Sequence, residues 1–333
     1  MRLSFPNKAR SPCNLSMCLL ITGALTILQL ASALAPNRLL AERVIVGMST
    51  VGLYEFPTEV ARRKGFYEEE GLEVQKVSMK PDLIIKAAVA GDIDYSMVWG
   101  ATLRAAVAGM PVRVVIGMYG KPLHMLISRP EIKRVEDLKG KKIAISSFGS
   151  TPDVLLRAAL KHYGLNPEKD VQILSVGGSS TRLAAIAAGA VEATPLDLAY
   201  VGKAERLGLK TLAYLGDVLS LPLSGIGASQ KKIRDNPNQI RRLVRGTLRG
   251  MQFIRDNRNE AVKMMVAYLK LTDEDARKIF EFTIRSLSVN GQFPDETLRA
   301  DIDLAKQALK IDKEVPLSQV VDWSFVREAK QTR

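Results

Sequence analysis

The sequence predicts an α/β protein of two similar lobes that are joined by two strands. Short apolar segments of strand length alternate with helical segments along residues 44–215, which is typical of a largely parallel sheet covered by helices. The alternation restarts near residue 142, so the chain holds two such units in succession. At 333 residues the chain is long enough for two domains and a large buried core.

The first unit opens with a predicted strand at 44–48. A loop of small residues follows at 49–52, and a helix at 56–64 then carries Pro57 in its first turn, where a missing N–H is no loss. A second strand at 72–77 completes a βαβ unit. The loop therefore lies at the carboxyl end of a strand, which is the edge where open α/β sheets bind ligands.

The other predicted elements continue this alternation. Strands are predicted at 94–99, 112–118, 124–128, 142–146, 171–176, 191–195, 211–215 and 224–228. Helices are predicted at 82–90, 101–108, 153–163, 179–188 and 198–207, and the tail after residue 236 is predicted to be helical.

Two of these segments, 124–128 and 223–229, bracket one complete α/β unit. We interpret them as two hinge strands that cross between the lobes. The first lobe is then 36–127 plus 224–333, and the second lobe is 128–223.

The N-terminal segment has the pattern of an export signal. Basic residues precede an uncharged apolar run at 18–35 that ends in small residues. This predicts a secretory signal peptide at 1–35, cleaved after Ala33 or Ala35, and a periplasmic location; a retained transmembrane anchor is the alternative. Both cysteines of the chain lie in this segment, so the mature protein would have no cysteine.

Composition and charge argue against a nucleic-acid partner. Hydrophobic residues make up 47% of the chain and charged residues 25%, as in ordinary soluble proteins. The formal charge of +13 falls to about +10 without the signal peptide. The basic residues are scattered through helices, without zinc-finger spacing, an RNA-binding aromatic run or a basic tail. We interpret them as a solvated basic surface.

The residues that enzymes use most are scarce. After the signal peptide the chain has no cysteine and only two histidines, His124 and His162. His124 begins a predicted buried strand and His162 ends a helix, and both positions are typical of structural histidines. A nucleophile with its base, or a cluster of metal ligands, is hard to assemble from this set. No catalytic residue, cofactor or metal site is predicted.

Four short loops rich in Ser, Thr and Gly each precede a predicted helix, at 49–52, 99–102, 147–151 and 179–180. The free N–H groups at a helix N-terminus suit an oxyanion, although ordinary helix capping would explain each loop taken alone. Having four such loops at corresponding positions favours a binding cleft.

The charges beside these loops bear on the ligand. The loop segments after four of the strands contain no Lys or Arg, while Glu55 and Asp197 lie in them. An inorganic anion would depend on N–H groups and hydroxyls, or on Arg182 or Lys121 reaching in. Aromatic residues beside the loops favour a small organic ligand, either a flat heterocycle or an organic acid. The candidate ligand-binding residues are Thr50, Tyr54, Trp99, Thr102, Tyr119, Ser147, Gly149, Ser150, Thr151 and Asp197.

Several short motifs occur along the chain in an order that resembles a known family. They are Glu59-Val60-Ala61-Arg62-Arg63-Lys64-Gly65-Phe66-Tyr67, Gly91-Asp92-Ile93-Asp94-Tyr95, Asp137-Leu138-Lys139-Gly140 and Gly189-Ala190-Val191-Glu192-Ala193. The ordered set is similar to the substrate-binding proteins of ABC transporters in the nitrate/sulfonate/taurine and thiamine-precursor group, also called SsuA/THI5-like or NMT1-like. Glu192 departs from this family, which usually has Asp there, and the segment 194–197 matches no substrate subgroup.

The resemblance implies a periplasmic binding protein type II fold, in which two Rossmann-like lobes joined by a two-strand hinge close on a small molecule. It also implies a monomer that delivers a sulfonate, carboxylate or pyrimidine-like solute to an ABC permease and its ATPase. Related thiamine-pyrimidine synthases share this fold and are the alternative, but the cysteine-rich motif and reactive histidine that they would need are missing. The effector domain of a transcription regulator would need a helix-turn-helix segment in place of the signal peptide.

Overall fold

The computed structural model describes residues 41–49 and 52–331. The predicted signal peptide and the candidate residue Thr50 lie outside these ranges, so both stay predictions. Within the described ranges, no helix combines the length and apolar character that crossing a membrane requires.

The described residues alternate between strands and helices, as predicted. The strands are β1 (Glu42–Met48), β2 (Leu72–Ser78), β3 (Tyr95–Ser96), β4 (Val112–Tyr119), β5 (His124–Ser128), β6 (Lys142–Ile145), β7 (Gln172–Ser175), β8 (Ala193–Asp197), β9 (Lys210–Tyr214) and β10 (Ser224–Ser229). The helices up to β10 are α1 (Phe56–Arg63), α2 (Phe66–Glu69), α3 (Pro81–Ala90), α4 (Trp99–Val107), α5 (Thr151–His162), α6 (Ser179–Ala187), α7 (Val201–Arg206) and α8 (Leu215–Val218).

The chain after β10 is helical. Its helices are α9 (Gln230–Asp235), α10 (Pro237–Asp256), α11 (Arg258–Leu269), α12 (Asp273–Ser286), α13 (Asp295–Leu309), α14 (Leu317–Val320) and α15 (Ser324–Gln331). Short 3-10 helices lie at Leu53–Glu55, Val135–Leu138 and Leu198–Tyr200.

The strands of the described residues form two five-stranded mixed sheets. The first has the order β2-β1-β3-β10-β4 and the second the order β7-β6-β8-β5-β9. In each sheet one strand, β10 or β5, runs antiparallel to both of its neighbours. The strands β1, β2 and β3 pair in parallel, and so do β6, β7 and β8. The two sheets repeat one arrangement, which confirms the predicted pair of α/β lobes.

The chain passes between the two sheets at 120–123, after β4, and again at 219–223, before β10. The two predicted hinge strands are observed as β5 and β10, and each is an interior strand of one sheet. The crossings themselves are the short segments next to these strands. The lobe boundaries at 127/128 and 223/224 stay a prediction.

Helix α10 packs closely on α1 in the first lobe. Its apolar side is buried, with Leu243 and Val244 fully inaccessible to solvent. At Gly250 an added Cβ would lie 2.5 Å from the carbonyl oxygen of Pro57. This close approach requires glycine and fixes α1, which directly follows the loop at the end of β1.

Helix α12 follows β10 in sequence but contacts elements of the second lobe. Asp275 pairs with Arg206 of α7 at 3.0 Å. The hydroxyl groups of Ser286 and of Tyr214, at the end of β9, lie 2.6 Å apart. Helix α12 therefore contacts α7 and the end of β9.

Two predicted element bounds differ from the structure. The strand predicted at 94–99 is the two-residue strand β3, and Trp99 begins helix α4 instead of ending a strand. The indole of Trp99 donates a hydrogen bond to Asp301 Oδ2 at 2.7 Å, a contact that sequence reading could not foresee. The strand predicted at 191–195 is β8, which ends two residues later and so places Asp197 at the strand end.

Candidate functional site

A cavity of about 510 Å³ lies between the carboxyl ends of strands from both sheets. This volume is in the range of pockets that hold small organic molecules. Its lining residues are Gly52, Leu53, Tyr54, Glu55, Leu123, Ser179, Asp197, Ala199, Tyr200, Lys203, Tyr268, Leu269, Lys270 and Leu271. The 3-10 helix after β1 and the end of α11 form one wall, and the end of β8 with the start of α6 forms the opposite wall.

Asp197 is held in place on the second-lobe wall. Its Oδ1 lies 3.3 Å from Nε2 of His124, at the start of β5. Its Oδ2 accepts a short hydrogen bond from the hydroxyl of Ser179, at the start of α6. Ser179 in turn accepts a hydrogen bond from the guanidinium of Arg182 at 3.1 Å. Both carboxylate oxygens of Asp197 therefore have partners within the protein.

Tyr54 connects the first-lobe wall to both crossing segments. Its hydroxyl accepts a hydrogen bond from the main-chain N–H of Leu123 at 3.1 Å, and its carbonyl oxygen accepts one from the hydroxyl of Ser224 at 2.6 Å. The same phenol lies 3.2 Å from Nδ1 of His124. Because the Asp197 carboxylate can only accept, the imidazole proton lies on Nε2 and faces Asp197, and Nδ1 then accepts a hydrogen bond from the phenol.

Burial favours the uncharged forms of His124 and Tyr54. Desolvation lowers the pKa of His124, although the neighbouring Asp197 carboxylate opposes this shift. Burial, reinforced by Asp197, raises the pKa of Tyr54 well above its ordinary value. The result is a chain of neutral hydrogen-bonding groups that links the two lobes at the inner end of the cavity.

Glu55 is the second acidic residue of the cavity lining, and it lies on the first-lobe wall. It is 5% exposed, and its Oε2 has no hydrogen-bond partner among the described residues. Burial raises the pKa of Glu55 from its usual value of 4.5 to about 7, and Asp197 adds to this rise. Main-chain N–H groups and Lys76 oppose the shift.

The two cations expected to reach an anionic ligand do not line this cavity. Arg182 is 1% exposed, and its guanidinium donates to the carbonyl oxygens of Gly177 and Pro195 and to the hydroxyl of Thr194. Lys121 lines a separate cavity beside α12. The cationic residues of the lining are Lys203 and Lys270, both exposed.

The structure brings some of the candidate residues together and places others elsewhere. Tyr54 and Asp197 line the cavity, and Tyr119 lies behind it, fully buried and in edge-to-face contact with Tyr54 at 6.2 Å. Trp99 and Thr102 are buried inside the first lobe, where Trp99 is bonded to Asp301 and Thr102 to Ser96. These two side chains do not line the cavity.

The candidates Ser147, Gly149, Ser150 and Thr151 lie between β6 and α5. Since β6 and β8 run parallel, this loop lies at the same sheet edge as Asp197 but outside the cavity lining. The hydroxyl of Ser150 donates to the carbonyl oxygen of Ser147 at 2.6 Å, so the loop is held by its own hydrogen bonds.

Sequence reasoning missed several lining residues. His124, which was expected to be structural, does not line the cavity itself but is buried behind it, where it joins Tyr54 to Asp197. Tyr200 follows the end of β8 by three residues, which could have marked it as a candidate. Tyr268 and Lys270 come from the end of α11, which only the tertiary fold brings to the cavity. Among the described residues, no group of three or more His, Cys, Asp or Glu side chains could hold a metal ion.

Comparison with known proteins identifies the family. A family model described as "NMT1/THI5 like" matches residues 54–261, more than half of the chain. The chain therefore belongs to the NMT1/THI5-like family, as its motifs indicated.

One curated relative and two solved structures illustrate the similarity. The riboflavin-binding protein RibY of Chloroflexus aurantiacus is 29% identical over 253 residues, which are 72% of this chain and 70% of that protein. The periplasmic aliphatic sulphonate binding protein SsuA from Escherichia coli has a TM-score of 0.70 at 20% identity, covering 84% of this chain and 97% of SsuA. The periplasmic nitrate-binding protein NrtA from Synechocystis PCC 6803 has a TM-score of 0.69 at 15% identity, covering 88% of this chain and 89% of NrtA.

The two structural matches show the fold. Together with the strand orders above, they confirm the periplasmic binding protein type II fold, with two Rossmann-like lobes joined by a two-strand hinge.

Proposed function

We propose that this protein is an extracytoplasmic solute-binding protein of an ABC importer. It captures a small organic solute between its lobes and delivers it to the permease and its ATPase. The observation that carries the proposal is the cavity of about 510 Å³, which residues of both lobes line and whose polar groups are fixed by hydrogen bonds. The names of RibY, SsuA and NrtA, each a binding protein, support it.

The proposed mechanism is closure of the lobes on the solute. A ligand that contacts both walls stabilises the closed state over the open state by its additional contacts, and the equilibrium shifts accordingly. The bending would occur at 120–123 and 219–223, where the chain crosses between the sheets. Tyr54 is bonded to Leu123 and Ser224 beside these crossings, so a ligand on Tyr54 is coupled directly to the hinge.

The proposed solute is a sulfonate, a carboxylate or a pyrimidine-like ring, bound in the periplasm by a monomer that the signal peptide has exported. Tyr54, Tyr200 and Tyr268 supply aromatic surface for a flat molecule. Asp197, Ser179 and Tyr54 supply polar contacts from opposite walls. The remaining candidate residues of the loop at 147–151 would contact the solute only if closure moves that loop inward.

A solute-binding function without catalysis is favoured over the alternative, a thiamine-pyrimidine synthase. The described residues contain no cysteine, and both ring nitrogens of His124 face protein partners. A synthase would need a reactive nucleophile or base with access to the solute. The pKa values of Tyr54 and Glu55 are both raised by burial, which disfavours the ionised forms that a nucleophile or a base would use.

Mass spectrometry of the purified protein under native and denaturing conditions tests this proposal. We expect release of a stoichiometric small molecule that rebinds without chemical change, with weaker rebinding to Asp197→Ala than to the matched variant Asp301→Asn. Conversion of the released molecule into a product on rebinding would contradict the proposal and support the synthase alternative.

A further inference from the structure

Glu55 is a buried acid that the fold leaves without a partner in a cavity wall. Its Oε2 is inaccessible to solvent and has no hydrogen-bond partner among the described residues. A buried polar atom without a partner costs free energy, so protein folds normally pair such atoms or replace them with apolar groups. An unpaired carboxyl oxygen on the lining of a binding cavity is therefore positioned for a ligand.

Tyr119 gives an independent observation in the same place. Its hydroxyl is fully buried and also lacks a partner among the described residues. Burial raises the pKa of Tyr119, and the Glu55 carboxyl adds to this rise. The first lobe thus holds two buried polar atoms without a partner among the described residues, Glu55 Oε2 in the cavity lining and the Tyr119 hydroxyl behind it.

Two other polar side chains of the lining, Asp197 and Tyr54, already have partners within the protein. Both oxygens of Asp197 are bonded, to His124 and Ser179. The phenol of Tyr54 accepts from Leu123 and faces His124. Glu55 is therefore the acid of the lining that has a buried carboxyl oxygen without a partner among the described residues.

The surroundings of Glu55 oppose a small anion at the inner end of the cavity. Asp197 faces it from β8 across the cavity, while Lys76 on β2 is already paired with Glu59 at 3.2 Å. The lining lysines Lys203 and Lys270 are exposed at the cavity entrance. A nitrate or sulfonate group would meet a carboxyl group instead of a buried cation.

We infer that Glu55 determines the specificity of this cavity and selects a solute that presents a hydrogen-bond donor, such as the N–H of a heterocyclic ring, instead of an anion. The donor binds to the carboxyl group of Glu55 on the cavity wall. This inference rests on the proposed function, because it names the solute class that the same cavity takes.

The experiment is calorimetric titration of the full-length protein with paired probes. Riboflavin and uracil present ring N–H donors, their ring N-methyl derivatives block that donor, and taurine and nitrate are the anionic probes. Each is titrated into the wild type, Glu55→Met, Glu55→Gln and the control Asp301→Asn. Asp301 is a buried carboxyl bonded to Trp99, outside the cavity.

We expect an N–H probe to bind the wild type and its N-methyl derivative to bind at least tenfold more weakly. Glu55→Met should weaken the N–H probe about ten- to a hundredfold, which is the range for a hydrogen bond to a charged group. Glu55→Gln, which keeps a neutral acceptor, should lie between Glu55→Met and the wild type. Asp301→Asn should bind like the wild type, which excludes a general effect of removing a buried carboxyl.

Two results would overturn the inference while leaving the proposed function in place. One is tighter binding of taurine or nitrate than of any N–H probe, and the other is unchanged binding of the N–H probe by Glu55→Met. If the wild type binds none of the six probes, the proposed solute classes are wrong, and the inference fails with them. A thermal unfolding curve for each variant shows that any lost binding occurs in folded protein.

Discussion

Two glutamates four residues apart experience opposite environments. Glu55 lies on the cavity wall, lacks a partner for Oε2, and has a pKa raised to about 7 by burial. Glu59 is equally buried but accepts hydrogen bonds from Arg62 and Arg63 and pairs with Lys76. Burial alone would raise the pKa of Glu59, yet these cations hold it near 2.

The difference separates two uses of a buried carboxylate. Glu59 stabilises the first lobe, because its negative charge is matched by neighbouring cations. Glu55 destabilises the lobe when ionised, and a fold keeps such a group most readily where it contacts a ligand.

Glu59→Gln should lower the free energy of unfolding by about 3–5 kcal/mol at pH 7, the range for removing one partner of a buried ion pair. The variant leaves Lys76, whose side chain is only 12% exposed, without its carboxylate. Urea denaturation at pH 7 measures the change. A loss below about 1 kcal/mol would show that Lys76 finds another partner and would remove the contrast with Glu55.

Glu55→Gln should instead stabilise the protein at alkaline pH. The pKa of Glu55 is higher in the folded state, about 7, than the usual 4.5, so the folded state binds the proton more tightly and stability falls as pH rises between these values. Glu55→Gln removes this loss of stability. Its free energy of unfolding should therefore exceed that of the wild type by about 3 kcal/mol at pH 8 and by near zero at pH 4.5. Urea denaturation of the wild type and of Glu55→Gln at pH 4.5 and pH 8 measures this difference. A gain in stability that is the same at both pH values would contradict the prediction.

Asp275→Asn should cost about 1–2 kcal/mol, because the carboxylate pairs with one arginine, Arg206, whose side chain is about half exposed. The change in the free energy of unfolding expected for this contact of α12 with the second lobe thus lies between the loss for Glu59→Gln and the gain for Glu55→Gln. The same urea denaturation measures it, with Arg206→Gln as the matched variant from the other side of the pair. Losses that add fully in the double variant would mean that the two side chains do not interact.

Arg62→Ala and Arg63→Ala should each cost less than about 1 kcal/mol, since both side chains are more than a third exposed. Either arginine can be lost while the other and Lys76 still neutralise Glu59. The double variant should cost more than the sum of the single ones, and a double-mutant cycle measures this excess. Simple additivity would show that the two arginines act on Glu59 independently of each other.

The local patterns in the sequence were sufficient to predict the fold. Most helices and strands could be predicted because their signals depend only on neighbouring residues. Such signals are the spacing of apolar residues and a proline in the first turn of a helix, as at Pro57 in α1 and Pro237 in α10. The position of Tyr54 and Asp197 at strand ends followed from the same rule, and both line the cavity.

The failures concern contacts between distant residues. An aromatic residue beside a strand end can face either a ligand or the core. Trp99 faces the core because it donates a hydrogen bond to Asp301, which lies 202 residues away on α13. Tyr268 and Lys270 reach the cavity only through the packing of α11, which no local pattern indicates. The environment of Glu55 likewise depends on Tyr119, Lys76 and Asp197, which come from three other strands.

The most direct test of this account is a titration of the glutamate carboxyl carbons by NMR, with Glu55 and Glu59 assigned by their Gln variants. The account predicts that, in the ligand-free protein, Glu55 titrates near pH 7 and Glu59 near pH 2. Titration of both residues near the ordinary value of 4.5 would show that Glu55 is not held unpaired for a solute, and would contradict the account.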